Sequence, residues 1–86
     1  MDRTEYLKIC QKVSLLKTGV AGIKENIPAE LLIRYNQSAY YPVAYELSFV
    51  KGETRHIAIL HSLYCNSVIN CELSKVEKYI SEVNYE

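Results

Sequence analysis

Two histidines, three cysteines and eight tyrosines are the side chains of this 86-residue sequence with the most chemistry to offer. His61, Cys65 and Cys71 fall in an H-x3-C-x5-C pattern. Structural zinc takes four ligands, commonly with cysteines paired at short spacing. Neither the fourth ligand nor the short pair is present, so no metal site is expected. A nucleophilic cysteine needs a base and a group to orient that base, and nothing near Cys65 or Cys71 supplies the set. His56 and His61 lie five apart, which in a regular strand puts them on opposite faces and prevents joint work as ligands or as an acid–base pair. His61 follows Ile57 and Ile59 in strand parity, which predicts a satisfied, partly buried histidine. The sequence therefore reads as a non-enzyme with no catalytic residues and no cofactor.

Tyrosine is the unusual abundance, with eight residues and no tryptophan. Tyr41 and Tyr45 sit on an apolar strand row, and Tyr6 and Tyr79 on helix stripes, where core filling explains them. Tyr35, Tyr40, Tyr64 and Tyr85 are harder to place inside. Tyrosine buries a large ring and keeps a polar handle, so exposed tyrosines mark protein interfaces, and rings also stack on bases. Arg34, Arg55 and His56 complete a candidate partner- or ligand-binding set with Tyr35, Tyr40 and Tyr64. Lys51 could add to a base-stacking platform around Tyr40, but Glu46, Glu53 and a net charge of zero count against it. That charge gives little of the long-range attraction behind nonspecific nucleic-acid binding.

The elements that must position these residues follow from periodicity. Asp2 to Leu16 predicts an amphipathic helix, with Tyr6, Ile9, Cys10, Val13 and Leu16 on one stripe. Asp2 and Glu5 have capping-box spacing, and Gly19 is the natural stop. Thr18 to Ala29 reads as a connector; its GxxG is too short and common for a phosphate loop.

Leu31 to Tyr35 is the first strand, and Asn36-Gln37-Ser38 a turn. Ala39 to Val50 alternates, with Tyr41, Val43, Tyr45, Leu47 and Phe49 forming an unbroken apolar row that predicts a half-buried strand. Pro42 cannot donate to a ladder and so marks an edge or a bulge. A hairpin turn follows at Lys51-Gly52-Glu53-Thr54. Arg55 to Leu63 is apolar on both parities, so both of its faces are candidates for burial. Tyr64 to Ser67 is a turn with Asn66 expected in the left-handed region, and Val68 to Leu73 is the last strand. Ser74-Lys75-Val76-Glu77 is a capping box opening a second helix, with Val76, Tyr79, Ile80 and Val83 on its stripe.

The expected fold is one α+β domain over residues 1–86: a four-stranded antiparallel meander sheet with an amphipathic helix at each terminus, order α-β-β-β-β-α. An open sheet is preferred to a curled, barrel-like one, because two amphipathic helices need an apolar surface to cover. A domain this small has modest stability, which makes a homodimer or higher oligomer a way to bury more surface. No run approaches a membrane span and the first residues lack an apolar signal core, so a cytoplasmic protein with reduced thiols is expected and a membrane partner is not.

The segments YYPVAYELSF and HIAILHSLYCNSVINCELSKVE resemble small uncharacterised proteins encoded by phages and prophages of Gram-positive bacteria. The resemblance covers roughly Ile27 to Val83 and carries over no functional residues. It implies an accessory phage product in the host-cell cytoplasm that binds and blocks a host protein or defence system, as anti-CRISPR inhibitors do. Other readings remain: a module sequestering a nucleotide or nucleotide-like signal between tyrosines, with Arg34 or Arg55 on its phosphates, or a small RNA- or DNA-binding domain.

Overall fold

A helix is laid across one face of a twisted antiparallel sheet in the computed structural model, which describes residues 1–80. The helix α1 spans Arg3–Ser14, and the strands are β1 (Ile33–Tyr35), β2 (Ser38–Val50), β3 (Glu53–Ser62), β4 (Val68–Glu72) and β5 (Glu77–Lys78). The sheet order is β4-β3-β2-β1-β5. The fold class is thus α+β, with one N-terminal helix and one five-stranded antiparallel sheet among the described residues. The order of the four expected strands is kept from β1 to β4, but a fifth joins at the outer edge of β1, so the sheet is five-stranded and not the expected four-stranded meander.

The helix forms where its stripe predicts, and Tyr6, Ile9 and Val13 are its buried residues. Burying an apolar side chain of this kind contributes ~1.5–3 kcal/mol before conformational entropy is subtracted. They pack with Leu31, Ile33, Ala58, Leu60, Cys71, Leu73 and Val76. Asp2 occupies the N-cap position but makes no side-chain cap bond, and Glu5 pairs instead with Lys78 at 2.6 Å. The helix ends at Ser14, before Gly19.

Register fixes which side chains share a face, because residues directly opposite in an antiparallel pair point the same way. Leu60 faces Pro42, Ala58 faces Tyr45 and also Cys71, and Ile33 faces Tyr40. These residues form the helix side. Tyr41 faces His61 and therefore lies on the other, loop side. There the connector closes over it: the Lys24 N–H donates to Tyr41 Oη at 3.2 Å. Tyr41, Pro42, Leu60 and His61 are all buried, so both faces are covered at this end of the sheet.

One irregularity reorganises the expected apolar row. Pro42 faces Leu60 and Ala44 faces Ile59, so Val43 is an extra residue, a β-bulge. A bulge shifts the alternation by one, which sends every later side chain to the other face. Tyr41 is left on the loop side, whereas Tyr45, Leu47 and Phe49 move to the helix side. The expectation of a single buried odd-numbered row is thus corrected by the bulge that Pro42 hinted at. Tyr6 reaches this point from the helix and its O–H is shared between the Ala44 carbonyl at 2.8 Å and the Ile59 carbonyl at 3.1 Å. Burial and the nearby Cys10 thiol push the Tyr6 phenol well above its ordinary pKa. It stays a neutral donor.

The second expected helix is overturned. Leu73–Lys75 form one 3-10 turn, Val76 is extended, and Glu77–Lys78 pair with Arg34 and Ile33. The capping box at Ser74 is outweighed by an open strand edge: β1 has unpaired backbone groups that a strand can satisfy and a helix cannot. Tyr79 N–H adds a bond to Leu32 O at 3.1 Å, and Val76 alone of the stripe is buried, at 2% exposure, with Tyr79 at 44% and Ile80 at 48%. Val83 lies outside the described residues. Asn66 is not among the residues with positive φ, whereas Asn36 and Gln37 are, which makes theirs the left-handed two-residue turn between β1 and β2.

Candidate functional site

The β2–β3 hairpin is longer than the strands that flank it, and its far end overhangs the domain. β1 reaches β2 only at Ser38, Ala39 and Tyr40, and β4 reaches β3 only from Ile57 to His61. Leu47–Val50 and Glu53–His56 therefore pair only with each other among the described residues. Local sequence builds this arm. Lys51 and Gly52 have φ of 52° and 79°, the two positive values of a type I′ turn, whose twist matches that of paired strands. Val50 and Glu53 close the turn, so Glu53 and Thr54, expected in the turn, belong to β3.

The arm carries apolar side chains past the end of the helix. Phe49 is 74% exposed and Leu47 44%, both on the helix side but beyond its cover. Val50 is exposed as well. At the arm's root, Tyr45 Oη is hydrogen-bonded to His56 Nδ1 and the two rings stack at 5.9 Å. Tyr45 is half-buried, and its ring makes a stiff base for the arm.

The expected site residues are spread over the molecule. Arg34 lies on the loop side of β1, opposite Ala39, while Tyr35 and Tyr40 lie on the helix side and are half-buried. Tyr64 projects from the loop after β3 with 87% exposure. His56, opposite Leu47, is on the helix side of the arm, and Arg55, opposite Ser48, is on the loop side. Tyr40 and the partner of His56 are separated by roughly 20 Å along β2 at ~3.3 Å per residue. The six do not converge on one platform.

Both candidate phosphate-binding arginines face carboxylates. Arg34 Nη2 lies 3.2 Å from Glu77 Oε1; Arg55 lies 3.7 Å from Glu72 and 4.0 Å from Glu53. An open recess of about 570 Å³ beside Arg55 and His56 is also lined by Arg3, Asp2, Glu53 and Glu72. Its charges alternate in sign, which does not select an anion.

His61 has both ring nitrogens engaged, Nδ1 at 2.7 Å from the Ser62 carbonyl and Nε2 at 3.1 Å from the Asn66 side chain, and its ring stacks on Tyr41 at 4.8 Å. The arrangement ties the loop after β3 to the sheet. It leaves no lone pair aimed at a substrate. Cys71 is on the helix side and His61 on the loop side, so the H-x3-C-x5-C residues diverge, and among the described residues no group of three or more metal-ligating side chains converges. The exposed Cys65 thiol is held below its ordinary pKa by the Ser62 and Ser67 hydroxyls. His56 and His61, both on β3, point to opposite faces as their spacing requires.

Val43, Leu47 and Phe49 are the exposed residues that periodicity placed on the buried row; Val50, also exposed, was on neither row. For Leu47, Phe49 and Val50 the signal lay in the lengths: two long runs joined by a tight turn, each bordered by a run about half as long, must overhang.

Comparison with protein-family models, with curated proteins and with solved structures gave no match. Among the described residues no helix is long and apolar enough to cross a membrane.

Proposed function

We propose that this chain is a non-enzymatic protein-binding module whose contact surface is the overhanging β2–β3 arm. The observation that carries the reading is an apolar arm end, Leu47, Phe49 and Val50, held out on a closed type I′ turn. Leu47 and Phe49 share the helix side and Val50 the loop side; exposed large apolar side chains clustered in this way mark interaction sites, and aromatic residues are favoured contact anchors. The stacked Tyr45–His56 pair supports it, because a stiff arm loses less conformational freedom on binding. Tyr64, on its own exposed loop, offers a second anchor.

Read with the phage resemblance, the partner is a host-cell protein and the effect is to block a host factor or defence system. The test is affinity capture from host lysate with wild type, with Leu47→Ala/Phe49→Ala, and with Tyr64→Ala, each checked for an unchanged fold by circular dichroism. A partner captured by wild type and lost with the arm variant is expected. Equal capture by both would move the contact surface elsewhere, and Tyr64→Ala reports whether the second loop takes part.

A further inference from the structure

A second feature of the arm lies in its backbone. Val50 and Glu53 close a two-residue hairpin, so they exchange hydrogen bonds, and along β2 the inward-bonding residues alternate with outward ones. Val50, Ser48, Glu46 and Ala44 turn their N–H and C=O groups toward β3. Phe49, Leu47 and Tyr45 turn theirs away, to the side where no strand pairs among the described residues. A regular, unpaired edge of this kind is a template for another strand.

We infer that a second copy of this chain occupies the edge, with β2 pairing antiparallel to the partner's β2 about a two-fold axis at Leu47. The inference rests on backbone groups and holds whatever protein the arm's side chains recognise.

Three observations select the occupant and the register. The regular edge runs from Ala44, just past the bulge, to Val50, just before the turn, and Leu47 is its midpoint. A two-fold at Leu47 therefore uses the whole edge, and the outward groups of Tyr45, Leu47 and Phe49 exchange about six hydrogen bonds with the partner. Second, the side chains match themselves. Leu47 meets its own copy and Tyr45 meets Phe49 of the other copy on the helix side, an aromatic pair of the sort that stabilises facing strands. On the loop side Glu46 meets Ser48, a hydroxyl that its carboxylate can accept from.

Charge is the third selector. Glu46 is the only ionised side chain on the edge, and the Leu47-centred register keeps the two Glu46 residues from facing each other; moving the axis to Glu46 would set like charges directly opposite. A net charge of zero adds no long-range repulsion between copies. The two arms then merge into one four-stranded sheet in which Tyr45, Leu47 and Phe49 of both copies form a central apolar band on the helix side, bordered by Thr54 and His56 of each β3, and the sheet as a whole becomes ten-stranded among the described residues.

Sedimentation equilibrium of the full chain, from low micromolar to near-millimolar concentration, tests the association. The expected result is a reversible dimer that Leu47→Lys weakens at least about tenfold by placing two cations across the axis, with the circular dichroism spectrum unchanged. A monomer throughout overturns the inference, and a dimer indifferent to Leu47→Lys overturns the edge.

The register is tested by mild oxidation of Leu47→Cys and of Phe49→Cys, each in a Cys65→Ser background. Directly opposed residues in a hydrogen-bonded pair sit ~5.5 Å apart at Cα, within disulfide reach. Leu47→Cys should therefore crosslink to itself and Phe49→Cys should not. The reverse pattern overturns the Leu47-centred register. Loss of partner capture without loss of the dimer, or of the dimer without loss of capture, assigns any failure to one proposal and not the other.

Discussion

The two ends of the β2–β3 hairpin are built from similar residues and do opposite work. At the root, Leu60 and Ala58 are fully buried under α1, Tyr41 and His61 are sealed on the other face, and the Tyr6 hydroxyl ties the helix to the bulge. At the tip, Leu47, Phe49 and Val50 are just as apolar and are left in water. The difference is cover. The root has a layer on each side, whereas the tip extends past both the helix and the flanking strands. Stability is thus concentrated at one end, and the surface available for association at the other.

That contrast breaks most sharply under truncation. Leu60→Ala should cost ~2–5 kcal/mol, the range for a buried leucine whose cavity cannot collapse, while Phe49→Ala should change stability by no more than about 0.5 kcal/mol. Urea unfolding of both variants measures the difference; a costly Phe49→Ala would mean the tip is covered after all. Tyr6→Phe keeps the ring and removes the proton shared by the Ala44 and Ile59 carbonyls. A loss of ~1–3 kcal/mol is expected, with faster amide exchange around the bulge than at the turn.

Alkaline pH sharpens the same contrast. Tyr6, Cys10 and Cys71 all have pKa values raised above their ordinary ones, with burial the largest cause for each. A raised folded-state pKa means that the unfolded chain gives up its proton first, so the stabilisation is complete below the ordinary value and is lost above it. Stability should hold at neutral pH and fall from about pH 9 upward, where the thiols begin to ionise and the phenol follows. Tyr6→Phe should flatten the later part of that decline, and Phe49→Ala should leave its shape unchanged.

The smallest expected effect is at the tip itself. Lys51 holds φ of 52°, a left-handed conformation that Asn tolerates better than Lys. Lys51→Asn should raise stability by up to about 0.5 kcal/mol on a thermal melt. A destabilised variant would mean the lysine side chain has a role the turn geometry does not reveal.

Much of this fold was legible in the sequence because local patterns and tertiary packing agree. The Tyr6-Ile9-Val13 stripe, the alternation after Ala39, the glycine in the hairpin turn and the short runs on either side dictated the N-terminal helix and the antiparallel order of four of the five strands. The opposed faces of His56 and His61 also followed from spacing alone. The candidate site was legible only in part: the exposure of Tyr64 follows from the sequence, but for Arg34 and Arg55 as phosphate partners the nearest carboxylates, Glu77 and Glu72, come from distant positions that spacing does not reveal.

Tertiary structure decided the rest for three physical reasons. Whether Ser74 opens a helix depended on an unsatisfied edge at β1, about forty residues upstream in the chain, and pairing Glu77–Lys78 with it outweighed a local cap. The facing of Tyr45, Leu47 and Phe49 depended on one extra residue at Val43, and an alternating pattern does not change in appearance when a bulge splits it. Whether an apolar row is core or contact surface depended on where the helix stops above it. The sequence by itself determined which residues are apolar and how they alternate; only the packed layers decided which of them water still reaches.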